Sequence, residues 1–173
     1  NISISSKIVT TKLFNKKIKI IDDRIKDENI NESLNLLMNE PYFEGKQILH
    51  AAPISYSIDG ANGIKNPIGM YGSSLEIDFI ISTIGVNHYK NYIECVTKSN
   101  IDIDQVIFSG LASGIAVLND NELTLGSVVL EIGATNTSLS IFAKDNFLFS
   151  EVINFGGNNI TEAIARFFGI SFN

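Results

Sequence analysis

His50 and His88 stand 38 positions apart, and no Cys or His cluster accompanies either, so a zinc-type ligand set is not expected. His50 falls in a strand pattern and reads as a packed ring with one hydrogen bond. Asp22-Asp23 and Asp102-x-Asp104 are paired carboxylates of the kind that bind metal or move protons. At loop edges, however, such pairs read as solvated turn residues and helix neighbours. Cys95, the single cysteine, lies between Ile93 and Val96 and reads as a small buried residue on a helix rather than a reactive thiol. Taken alone, Gly133-Ala134-Thr135-Asn136 is an ordinary turn between two strands. Gly156-Gly157 precedes a helix and admits two readings, a plain turn or a helix N-terminus suited to an anion. Lys65-Asn66-Pro67 also admits two. Pro fixes φ and Asn bonds its own backbone, which makes a rigid turn. An exposed, constrained loop is equally a contact surface.

The elements that carry these residues follow from periodicity. Ile2 to Ile20 alternates loosely and predicts one or two strands. Ile30, Leu34, Leu37 and Met38 fall at helical spacing between Asp27, which can cap the start, and Pro41, which stops it. Gln47 to Ile58 is an apolar strand that runs into a loop, Gly63-Ile64-Lys65-Asn66-Pro67-Ile68-Gly69. Leu75, Ile77, Phe79 and Ile81 mark another strand. Strands with one helix on a face make a compact α+β unit. Then the pattern changes. Asn87 to Ser99 predicts an amphipathic helix with Tyr89, Tyr92, Ile93 and Val96 inward. Gln105 to Phe108 is a short buried strand and Leu111 to Leu118 a small-residue helix. Ser127 to Ile132, Leu139 to Phe142 and Phe147 to Ile153 are strands joined by tight turns, and Asn159 to Phe168 is a helix.

Bulk properties bound the function classes. The chain has 173 residues, 45% of them hydrophobic, enough for one core or two small ones. A net charge of -6 argues against nucleic acid or an anionic membrane as a partner of this surface. One cysteine excludes an internal disulfide and fits a reducing compartment. No window approaches the 18 or so apolar residues of a membrane span. The first residue is Asn1 rather than Met, so the chain reads as a piece of a longer protein.

The strand and loop from His50 to Gly69 carry a specific resemblance. His50, Pro53, Tyr56, Ile58 and Asp59, followed by Gly63, Ile64, Lys65, Asn66, Pro67 and Gly69, match the inserted subdomain of the bacterial cell-division FtsA family. Asp102 to Ser113 resembles the segment that links the two large halves in that family. Val129 to Phe142 lies where the family has its second phosphate-binding hairpin, and Gly156 to Thr161 matches the glycine pair and Ile-Thr that open the next helix. The resemblance implies an α/β fold, part of an actin/Hsp70-like ATPase core, with an inserted α+β subdomain. The expected domains are 1–82 (the inserted subdomain, called 1C), 83–126 (the end of the first half) and 127–173 (the start of the second).

The same resemblance assigns roles. Gly133, Ala134, Thr135 and Asn136 become phosphate-binding, through backbone N–H groups that close on phosphate oxygens. Glu131, one methylene longer than the usual Asp, becomes a metal-holding acid acting through water, and Ser138 is an accepted alternative to the family's second Asp. ATP with Mg2+ is the implied cofactor. The family's three glycines are reduced to Gly133, and a left-handed backbone at Ala134 and Thr135 would cost roughly 1–2 kcal/mol each. Weakened ATP binding is therefore expected, or else a turn of another type that binds nothing. Gly110 stands where active ATPases of this fold carry Gln or Glu, and Ala163 replaces an Asp, so the chain is expected to be no enzyme, or at most a very slow ATPase. Lys65, Asn66 and Pro67 become protein-interaction residues. The implied partners are further copies in an actin-like filament, FtsZ through regions outside this chain, and later division proteins such as FtsN through 1–82. No nucleic acid is implied, and the membrane is reached only through a C-terminal helix not in this sequence. The implied location is the cytoplasmic face of the inner membrane at the division site. A PilM-like pilus-assembly scaffold and a kinase or chaperone ATPase of the same superfold are the rival readings.

Overall fold

The computed structural model describes residues 1–171, which fall into two compact units, Thr11–Cys95 and Asn1–Thr10 with the described residues from Val96 onward. The expected division at 82/83 and 126/127 does not coincide with these boundaries. Strand β1 (Ile2–Ile4) is parallel to β6 (Val106–Phe108), with Ile2 opposite Val106 and Phe108 opposite Ile4. That pairing draws the first residues into the unit that holds the later half of the sequence.

The Thr11–Cys95 unit is a four-stranded sheet in the order β2 (Thr10–Lys19), β5 (Ser74–Gly85), β3 (Lys46–Ile58) and β4 (Ala61–Ile64). β5 is interior to the sheet, and its alternation of Leu75, Ile77, Phe79 and Ile81 puts four fully buried apolar side chains on one face. Against them pack Ile18 of β2, Ile20 just beyond it, Ile25, Phe43, and Leu37 of helix α1 (Asp27–Met38). Burying each such side chain contributes about 1.5–3 kcal/mol, so this face holds the unit together. The cap of α1 lies one residue earlier than expected. Lys26 is the N-cap, its N–H donating to Asn29 Oδ1 at 2.9 Å, while Asp27 and Glu28 occupy the first turn where the helix dipole favours carboxylates. After α1, Pro41–Phe43 form one 3-10 turn.

β3 and β4 make a hairpin where the residue pattern predicts a loop after Ile58. Ile58 faces Ala61, and the two residues between, Asp59 and Gly60, have φ of 48° and 87°. That is a type I′ turn, for which Asp-Gly is a preferred pair. The Asp59 carboxylate accepts from the Ser73 and Ser74 N–H groups and from Ser74 Oγ. The Ser73 amide leads the causes that hold the Asp59 carboxyl below its ordinary range.

Helix α2 (Val86–Thr97) turns Val86, Tyr89, Ile93 and Val96 to its half-buried side. Two expectations fail here. Tyr92 is exposed rather than inward, and Cys95 is exposed rather than buried. The buried stripe repeats at steps of three and four, and positions 92 and 95 fall beside it.

In the other unit, α3 (Ser109–Val117) follows β6 directly. Then come α4 (Asp120–Leu125), β7 (Ser127–Ile132), β8 (Thr137–Ala143), β9 (Asn146–Ile153) and α5 (Gly157–Phe168). β7, β8 and β9 form an antiparallel meander with β8 central. α4 is not among the expected helices, although Asn119 and Glu122 form a capping box, with bonds of 2.9 and 3.1 Å. Its C-terminal carbonyls at Leu123 and Thr124 accept from the N–H groups of Asp145 and Lys144, pinning the turn between β8 and β9. α3 lies on β8 through two glycines one turn apart. A Cβ on Gly110 would strike Ser140 Oγ and come within 2.7 Å of Phe108, and one on Gly114 would enter the ring of Phe142. Phe142 is itself held by Phe147 at 5.4 Å, and Phe147 by Phe108 at 6.3 Å between ring centres.

Candidate functional site

The β7–β8 hairpin brings the expected phosphate-binding residues together. Ile132 pairs with Thr137, and the loop between them is closed by Gly133 N–H donating to Asn136 O at 2.9 Å. None of Gly133, Ala134, Thr135 or Asn136 has positive φ. The expected strain at Ala134 and Thr135 is therefore absent, because this turn needs no left-handed residue and a Cβ costs nothing there. The loop tip is exposed, and Asn136 Oδ1 accepts from Ser5 Oγ at 3.5 Å.

The carbonyls of the same loop are occupied. Gly133 O accepts from Gly157 N–H at 2.9 Å and Ala134 O from Asn158 N–H at 2.8 Å. These two donors belong to the first turn of α5, whose leading amides have no partner within their own helix. Gly156, the N-cap, donates to Asn159 Oδ1 at 2.8 Å, and Thr137 Oγ1 donates to Phe155 O at 2.6 Å. The Gly156-Gly157 pair is thus no open anion site, since the hairpin's carbonyls already take the amides that an anion would use. A peptide group is planar and trans, so its N–H points opposite to its C=O. The Ala134 and Thr135 N–H groups consequently face away from α5, and among the described residues neither has a protein acceptor.

Glu131 sits on the last turn-ward stretch of β7, opposite Ser138. Its Oε2 accepts from Ser113 Oγ at 3.1 Å and Ser138 Oγ at 3.2 Å. These hydroxyls orient the carboxylate. No group of three His, Cys, Asp or Glu side chains that could hold a metal directly occurs among the described residues. The arrangement fits a phosphate received on backbone amides, with a cation held from Glu131 through water rather than in a protein cage.

Gly110 differs from an empty catalytic position. It is buried on α3 with its missing side chain directed at Ser140 and Phe108. A Gln or Glu there would enter packed protein instead of reaching solvent.

The Lys65 loop belongs to the Thr11–Cys95 unit. Asn66 Oδ1 accepts the Ile68 N–H at 3.1 Å, Gly69 N–H bonds Ile25 O at 2.8 Å, and Ile25 N–H bonds Met70 O at 2.9 Å. Gly63 and Gly69 have φ near 80°, which glycine alone adopts freely. Lys65 and Asn66 are exposed, but Pro67 is fully buried. Pro67 is therefore an internal wedge under the loop and not a contact residue. Sequence reasoning could not separate it from its neighbours, since all three belong to one turn motif. His50 is part of β3, opposite Ser82, and burial lowers its pKa from the ordinary imidazole value.

Residues 7–83 match the SHS2 domain inserted in FtsA. The cell division protein FtsA of Buchnera aphidicola from Acyrthosiphon pisum is 35% identical over 98% of this chain. The chain belongs to the FtsA family. The FtsA of Escherichia coli K12 is 29% identical over 88% of the chain, which covers 36% of that protein. The chain spans about two fifths of the Buchnera relative, 41% of its length. Residues 94–173 also match the family described as type IV pilus assembly protein PilM. A solved PilM-PilN type IV pilus biogenesis complex aligns with 94% of the chain and 45% of its own, with a TM-score of 0.58 and 18% identity. That likeness gives the fold, an α/β fold of the actin-like ATPase type.

Proposed function

We propose that the chain is part of an FtsA-type division scaffold on the cytoplasmic face of the inner membrane at the division site. The observation that carries this reading is the 35% identity along 98% of the chain, together with the match of residues 7–83, which include the Gly63-to-Gly69 loop, to the SHS2 domain inserted in FtsA. In this reading the protein forms actin-like filaments and tethers the FtsZ ring. FtsZ and the membrane are engaged by segments for which the greater length of the relatives leaves room. Later division proteins such as FtsN dock within 1–82. ATP with Mg2+ acts as a conformational ligand. When bound it supplies negative charge and a cation to order, while the Ala134 and Thr135 amides bind phosphate oxygens and Glu131 orients the cation's water. Gly110 offers no group to activate water, so turnover is absent or very slow.

The match of residues 94–173 to PilM supports a second reading, a pilus-assembly scaffold. A fluorescent fusion of the intact protein in its own cells separates the two. A band at midcell that depends on the division ring supports the division reading, and foci at pilus bases overturn it.

The exposed Lys65 loop gives a surface test. Lys65→Ala combined with Asn66→Asp keeps the side-chain acceptor for Ile68 N–H and removes the positive charge. We expect weaker self-association by sedimentation, with thermal stability changed by no more than about 0.5 kcal/mol. Unchanged assembly counts against this loop as the contact.

A further inference from the structure

The two glycines before α5 have different surroundings. A Cβ on Gly156 would lie 2.6 Å from both Gly133 O and Ala134 O and 2.7 Å from the Ala134 carbonyl carbon. All three are backbone atoms of the hairpin loop, and no rotamer change can move them aside. A Cβ on Gly157 would lie 3.7 Å from Gly133 O, an ordinary contact, and Gly157 is already inside the helix without positive φ. Only Gly156 is required by this packing.

We infer that Gly156 is a positioning residue for the phosphate-facing amides, joining the hairpin loop and the start of α5 into one body. The contact is short because the loop carbonyls must approach Gly157 N–H and Asn158 N–H to within 2.9 and 2.8 Å. Those two bonds fix the directions of the Gly133–Ala134 and Ala134–Thr135 peptides, and with them the N–H groups on the opposite side. Anything that turns these peptides breaks both bonds. A ligand that tightens on the loop amides therefore tightens the first turn of α5 in the same step, since bonds in a chain polarise one another. The hairpin gains its rigidity from α5 rather than from glycines of its own, which explains how Ala134 and Thr135 are accommodated. The coupling to ligand rests on the nucleotide reading above, whereas the positioning by Gly156 does not.

The test compares Gly156→Ala with Gly157→Ala in the intact protein. Amide hydrogen exchange reports on Gly157 and Asn158, and titration calorimetry measures affinity for Mg-ATP. For Gly156→Ala we expect exchange at these two amides to rise by tenfold or more and Mg-ATP affinity to fall by a similar factor. Gly157→Ala should leave both within about twofold. Added Mg-ATP should slow exchange at the two amides in the wild type and not in Gly156→Ala. If Gly156→Ala keeps both amides protected and binds as the wild type does, the inference is overturned. Should the wild type bind no Mg-ATP, the nucleotide reading fails while the exchange contrast still decides the role of Gly156. Global unfolding of Gly156→Ala would be distinguished by loss of protection throughout β8 and overturns the claim of a local positioning role.

Discussion

Phe79→Ala is expected to remove about a third or more of the stability of the Thr11–Cys95 unit. Phe79 has 0% exposure on interior strand β5, opposite Pro53 of β3. Its ring belongs to the cluster formed with Ile18, Ile20, Ile25, Leu37 and Phe43. Truncating a buried Phe loses its transfer free energy and leaves a cavity, together about 3–5 kcal/mol. Small domains have only about 5–15 kcal/mol in total. With a urea slope of about 1–3 kcal/mol per molar, the midpoint should fall by roughly 2 M. Leu13→Ala on β2 is the control, because Leu13 is 60% exposed and its loss should cost within about 0.5 kcal/mol. Equal midpoints for the two variants would show that the core is not where the β5 pattern places it.

Gly114→Ala should destabilise the other unit although alanine is the better helix former. The propensity gain is about 1 kcal/mol. Against it stands the ring of Phe142, three atoms of which lie inside contact distance of the new Cβ. Phe142 is buried and wedged against Phe147, so it has no free space into which to swing. Overpacking of this kind costs typically 1–3 kcal/mol and occasionally more, which outweighs the helix term. Shortening the opposing side chain offers a check. Phe142→Leu alone should be destabilising, yet added to Gly114→Ala it should recover part of the loss, a coupling on the order of 1 kcal/mol in a double-mutant cycle. Strict additivity would mean that α3 and β8 do not meet at this pair.

Much of the architecture is legible in the order of residues. Leu75, Ile77, Phe79 and Ile81 announce a strand with one buried face, and that face is the core of its unit. The Ser127-to-Ile153 meander follows from three apolar runs and two turn signals. The misses share a cause. Pairing of Ile2–Ile4 with Val106–Phe108 joins segments a hundred residues apart, which local periodicity cannot register. Cys95 and Tyr92 lie one step off the half-buried stripe of α2, a rotation finer than a sequence pattern fixes. Of the site, the hairpin, Glu131 and the glycine pair are visible in sequence, but the conformation of the loop is not. Ala134 and Thr135 suggest strain only if the loop is assumed to turn as a glycine loop does. Bonds from Gly157 and Asn158 decide its actual course, and they depend on tertiary approach. Asp59-Gly60 and Asn119-x-x-Glu122, by contrast, carried readable turn and cap signals.

Gly110 has a bearing on how such a chain can change over generations. The space that a first side-chain carbon would need is held by Ser140 and Phe108, on β8 and β6. A single codon change that gives this position a longer residue meets both neighbours at once, so it costs folding stability whatever chemistry the new group could offer. Reaching a polar group at 110 would require a smaller residue at 140 and a shifted ring at 108 beforehand, each a step with a penalty of its own. A polar side chain at 110 is thus reached only together with changes at 140 and 108, never by substitution of the glycine alone.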